Sequence, residues 1–192
     1  MAWPTTAVQT GDLISAAQLN LLPIRLANST VVGAAVASID ITSIPTLYAH
    51  LQVVVEARSD NAGSLLSLTM RLNGDSAANY FYETLFGNGT TVTAAEGLAQ
   101  SNGLVGEVPG AGSASAAYSG VCTIELPNYA STAWRKRWTS QWSTNTAGTT
   151  GTIRSGTAGG YWNQSNAIGQ ITIAASLGNL IAGSRVTIYG RP

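Results

Sequence analysis

The chain holds one histidine, His50, and one cysteine, Cys122, so any nucleophilic site would have to form around a single imidazole or thiol. Read at period two, Leu47, Leu51, Val53 and Val55 share one face of a strand, and His50, Gln52, Glu56 and Arg58 the other. His50 therefore reads as a surface histidine rather than a general base. Cys122 shares a strand face with Tyr118, Ile124 and Leu126 and reads as a packing thiol. The nine carboxylates stand singly, mostly at turns or outward positions, so spacing nominates no pair for glycoside hydrolysis. No GxGxxG, Walker or HExxH pattern occurs. A lone Cys and a lone His leave no disulfide framework and no Cys/His zinc cluster. The expectation is a non-enzyme with no catalytic, cofactor-binding or metal-binding residue to assign.

One constellation concentrates chemistry of another kind. Trp134, Arg135, Lys136, Arg137 and Trp138, then Trp142, gather three of the five tryptophans with three of the nine cations. On a strand, Trp134, Lys136, Trp138, Ser140 and Trp142 face one way, and Arg135, Arg137, Thr139 and Gln141 the other. Three readings stand open: a core Trp row with solvated arginines, a protein interface, or a sugar-stacking platform. Trp134, Arg135, Arg137, Trp138, Trp142 and, further along, Trp162 are the interface or binding candidates.

The elements that must position these residues are strands. A second alternating run sets Leu66, Leu68, Met70 and Leu72 inward, and Asn73-Gly74 follows it directly. That dipeptide tolerates the positive φ angles of a type I′ turn, which predicts a hairpin with a return strand near Asn79–Phe86. Further strands are expected at Tyr118–Leu126, Ala133–Ser143, Ile168–Ala175 and Arg185–Tyr189, and Thr30–Ile41 is β-like. Ala94–Ala117 and Asn145–Gly160 read as loops on their Gly, Ala, Ser and Thr content. Eight to ten strands with no second helix predict an all-β fold, an antiparallel β-sandwich whose strand count suits a jelly roll.

Before this domain, Ser15 and Gln18 fit a capping box, Leu19 and Leu22 supply apolar positions, and Pro23 ends a short helix. Residues 1–28 thus read as an extended N-terminal arm, and residues 29–192 as the sandwich. Leu13, Ile14, Leu19 and Leu22 are its anchor candidates, because a helix of this length must pack on something.

Charged residues make up 9% of the chain and sum to zero, against about 25% in an ordinary soluble domain. A nucleic-acid partner that works by phosphate neutralisation is excluded. The longest apolar run, near Val31–Ala37, is far shorter than a bilayer requires, and the N-terminus lacks a signal-peptide pattern. Neither a membrane partner nor secretion is expected, and the chain reads as made in the cytosol.

Several stretches resemble a family of small structural proteins of tailed-bacteriophage virions. They are Ser43-Ile44-Pro45 leading through Tyr48 and Leu51 to Ala57-Arg58-Ser59, then Arg71-Leu72-Asn73-Gly74-Asp75 with Asn79-Tyr80. Glu125-Leu126-Pro127-Asn128-Tyr129 and the closing Gly183-Ser184 with Ile188-Tyr189-Gly190 complete the set. Separately, residues 10–20 resemble the opening of phage tail-fibre and virion attachment proteins. The resemblance implies a virion component assembled in the host cytoplasm, with other capsid or tail proteins as partners. Joined to the residue-level reading, it leads to a capsid decoration or head-spike subunit attached by its arm, in a homo-oligomer whose first expected form is a trimer. The alternative is a tail-associated adhesin for host-surface carbohydrate, and the next a free glycan-binding jelly roll. The Trp134–Trp142 cluster lies outside the resemblance.

Overall fold

The computed structural model describes residues 24–31, 33–112, 117–145 and 153–192. The short helix and all four anchor candidates (Leu13, Ile14, Leu19, Leu22) lie outside these residues. The described chain forms twelve strands: β1 Ile24–Thr30, β2 Ile39–Ile41, β3 His50–Ala57, β4 Leu65–Leu72, β5 Tyr80–Asn88 and β6 Thr91–Gln100, then β7 Gly103–Pro109, β8 Gly120–Pro127, β9 Lys136–Asn145, β10 Ile153–Trp162, β11 Ile171–Ala175 and β12 Arg185–Arg191. They make two sheets, one of eight strands in the order β1-β12-β3-β8-β9-β10-β5-β6 and one of four in the order β2-β11-β4-β7. Every strand pair is antiparallel.

Alternation builds the core between the sheets. Leu51, Val53 and Val55 of β3 and Cys122, Ile124 and Leu126 of β8 turn inward from the large sheet, and Leu68, Met70 and Leu72 of β4 and Ile171 and Ile173 of β11 from the small one. All are buried in one continuous cluster, so each of these four strands hides one face and turns the other outward. Cys122 is in this core as its spacing implied, and its Sγ donates to the Val105 carbonyl oxygen at 3.1 Å. At the rim, Arg154 of β10 reaches Glu107 of β7 at 3.1 Å and ties the edge of the small sheet to the large one. Burial pushes the Glu107 carboxyl above the usual range, and Arg154 pulls it back in part.

Four expectations are corrected. Asn73 and Gly74 do adopt positive φ, 53° and 68°, and the Asp75 N–H closes the turn on the Leu72 carbonyl at 3.1 Å. Yet β4 and β5 do not pair, because this turn carries the chain from the small sheet to the large one. The Asn73 side chain explains the change of direction. Its Oδ1 accepts from the N–H groups of Gly169 and Gln170, and its Nδ2 donates to the Ala167 carbonyl, so the corner is fixed to another loop.

Second, the stretch read as a loop over Ala94–Ala117 contains the end of β6 and all of β7, and the one over Asn145–Gly160 contains most of β10. Four of their glycines serve packing rather than turning. A Cβ on Gly103 would lie 2.7 Å from the Trp138 ring, and one on Gly160 would lie 2.5 Å from the same ring. Gly106 and Gly156 make room for Trp142 in the same way.

Third, β1 begins at Ile24 and pairs with β12 along its length, so the last five residues of the stretch read as arm are sheet. Fourth, the region read as one β-like stretch over Thr30–Ile41 is instead the end of β1, an irregular connection and the three-residue β2.

Candidate functional site

The tryptophan cluster divides across the sheet. Trp138 and Trp142 point into the core at 1% and 3% exposure, where they pack with Tyr80 and Phe86 at centroid distances of 6.4 and 6.0 Å. Of the three readings left open, the core row holds for these two rings. Trp162 is buried as well, and its indole N–H donates to Asp75 Oδ2 at 2.6 Å. Asp75 also accepts from Asn79 and Ala77 at 2.8 and 2.9 Å, so Trp162 locks β10 to the sheet-to-sheet corner. Lys136 is buried too, and its ammonium donates to the carbonyls of Ser131, Trp134 and Ser165, while burial lowers its pKa. Trp134, in the turn before β9, is 76% exposed, and Arg135 and Arg137 are exposed on the outer side.

Arg137 leads to what the sequence reading missed. On the outer face of the large sheet, cross-strand register places Phe81 opposite Tyr161 and Tyr161 opposite Arg137. The two rings stack at 4.9 Å with an interplanar angle of 4°, and the Arg137 guanidinium carbon stands 6.0 Å from the Tyr161 centroid. This row forms an aromatic wall with a cation at one end, an arrangement favourable to both ring stacking and cation–π attraction.

The row beside it runs Glu96, Glu83, Gly159, Thr139, Glu125 and Gln52, from β6 across to β3. Gly159 leaves the middle bare: a Cβ there would find only the Trp138 carbonyl oxygen at 3.7 Å and Thr139 Cγ2 at 4.0 Å. Glu83 and Thr139 therefore flank a gap two strand spacings wide, about 10 Å. Glu125 is held by Gln52 Nε2 at 2.7 Å and by Arg191 at 3.8 Å. Glu83 and Glu96 are exposed, face each other directly and form no ion pair among the described residues. Two like charges at that position disfavour the strand pair in isolation.

Wall and row together enclose an open groove of about 630 Å³, with His50, Pro127 and Leu98 at its lips. That volume falls within the range of small-molecule sites, about 300–1,000 Å³. His50 does lie on the outer face as expected, but half-buried at the rim of a cavity rather than on open surface. Among the described residues no group of three or more His, Cys, Asp or Glu is placed to hold a metal ion. The groove can offer apolar aromatic surface, carboxylate acceptors and the Arg137 cation.

The signal for this site was present but unreadable in one dimension. Phe81 and Glu83 alternate on β5, yet their partner Tyr161 ends a Gly-rich stretch and belongs to a strand 80 residues away. No family model matches the chain, and neither a curated protein nor a solved structure does.

Proposed function

We propose that the chain is a non-enzymatic structural component of a tailed-phage virion, a capsid decoration or head-spike subunit, built on a jelly roll. The observation that carries this reading is the nested order of strand pairing. β1 pairs with β12, β2 with β11, β3 with β8 and β4 with β7, which yields the sheet sequences β1-β12-β3-β8 and β2-β11-β4-β7. A long antiparallel hairpin rolled into two facing sheets produces that nesting, an architecture shared by viral capsid domains and lectins. The β5–β6 and β9–β10 pairs then read as insertions that extend one sheet beyond the other. The low charge content and the resemblance over residues 43–190 support the same assignment. Residues before β1, with Leu13, Ile14, Leu19 and Leu22, are the proposed attachment to neighbouring virion proteins, and a trimer is the proposed assembly.

The direct test is mass spectrometry and immunogold labelling of gradient-purified particles from cells that encode the chain. Recovery of the chain in particles at many copies, on the head, supports the reading; its exclusion from particles overturns it. A second reading, a tail-associated adhesin for host-surface carbohydrate, is favoured by one feature, the aromatic pair of Phe81 and Tyr161 beside an open groove that also holds exposed carboxylates. Labelling confined to the tail would select it.

A further inference from the structure

We infer that the outer groove of the large sheet binds an uncharged pyranosyl sugar, with its C–H groups against the Phe81–Tyr161 pair and its hydroxyls donating to Glu83 and Glu96. This deepens the adhesin reading and rests on it for the biological setting alone, since a soluble sugar fills the groove wherever the chain is located.

Four independent features select this ligand chemistry. The first is the stacked, half-buried ring pair, which lines the groove with apolar surface without being consumed by the core. Such apolar aromatic surface suits the C–H groups of a sugar ring. The second is the acceptor row. Glu83 and Glu96 stand together with no cation paired to either among the described residues, so their oxygens are available to hydroxyl donors, and charge-assisted hydrogen bonds to carboxylates are the stronger kind.

The third feature is the bare floor. At Gly159 a Cβ would meet no described atom closer than 3.7 Å, so the fold does not need glycine there as it does at Gly160, and the position adds no side chain to the groove. The fourth is charge. Glu125 is offset by Arg191, which leaves two unpaired carboxylates, Glu83 and Glu96, at the end of the groove away from the Arg137 guanidinium and the imidazole of His50. Acidic sugars, phosphates and acidic peptides are repelled by the Glu83–Glu96 pair, whereas hydroxyl donors are not.

The test uses the purified full chain, titrated at millimolar concentration with lactose, maltotriose and chitotriose as uncharged probes and 3′-sialyllactose and glucuronic acid as anionic ones. Amide chemical shifts report the site. The expected result is perturbation at Gly159, Glu83 and Thr139 by at least one uncharged probe, with anionic probes weaker by about tenfold or more. Gly159→Leu should fill the floor and weaken binding by about tenfold or more at unchanged melting temperature. Should that variant misfold, Tyr161→Ala supplies the same loss of binding by removing half of the wall. Trp134→Ala, on exposed surface outside the groove, should bind as the parent does.

The inference falls if no uncharged probe shifts these amides, if anionic sugars bind as well or better, or if both groove variants bind like the parent. It also falls if Gly159→Leu changes the sedimentation of the chain while no sugar binds, which would make the groove a contact between copies. Sugar binding by a chain that labels only the phage head would sink the adhesin setting and leave the groove assignment standing.

Discussion

Trp138→Ala separates a core tryptophan from an interface tryptophan by magnitude. Trp138 heads the fully buried side chains, at 1% exposure, between Gly103 of one sheet and Gly160 of the other. A tryptophan buries about 150–250 Å², which at about 25 cal/mol per Å² corresponds to about 4–6 kcal/mol of transfer free energy. Compactness of the unfolded chain trims such figures by about 10–40%. The expected loss is therefore about 3–5 kcal/mol, in line with large-to-small changes in other cores. For a chain of this size that lowers the melting temperature by about 6–20 °C. Urea denaturation followed by far-ultraviolet circular dichroism measures the loss, and sedimentation checks the assembly state.

A coupled variant sharpens the test. Gly103→Ala puts its new methyl 2.7 Å from the Trp138 ring, which supplies its three nearest atoms, so overpacking should cost about 1–3 kcal/mol. In a Trp138→Leu background the smaller side chain gives way, and that cost should largely disappear. Strict additivity, within about 0.5 kcal/mol, would refute the packing account. So would a Trp138→Ala loss below about 1 kcal/mol accompanied by altered self-association.

Three other outcomes are expected. Asp75 feels burial that raises its pKa, but hydrogen bonds from Trp162, Asn79 and Ala77 outweigh it and hold the carboxyl below its ordinary 3.8. A depressed carboxylate contributes stability above its unfolded pKa and loses it as pH falls through the folded one, so denaturation below pH 3.8 should be less steep in Asp75→Asn than in the parent. Burial pushes the Cys122 thiol up to about 12, so the folded chain should resist iodoacetamide at pH 8 and react once unfolded in urea; rapid native labelling would place the thiol outside the core. A chain that starts at residue 24 should melt like the parent, whereas one that starts at Ser29 loses five of the seven residues of β1. The second should melt earlier or aggregate through the uncovered β12 edge, and equal melting would show that β1 is dispensable.

What local chemistry controls was legible in the sequence. Alternation at Leu51–Ala57 and Leu66–Leu72 located two strands and their buried faces, and the same rule put Cys122 inside, because side-chain direction along a strand repeats every two residues whatever the partner. Asn73-Gly74 took the positive φ angles that its residue types tolerate. Whether that turn joined paired strands was decided elsewhere, by the contacts of Asn73 with the loop at 167–170. The Gly-rich segments were misread for a similar reason. A glycine opposite a tryptophan and a glycine in a loop are the same letter, and only the cross-sheet neighbour tells them apart. The groove lay further still from view, since Phe81, Tyr161 and Arg137 become one wall only through pairing of β5, β10 and β9. Period two is a property of each strand alone; register between strands is fixed by burial of all of them at once, and it is register that brought the site together.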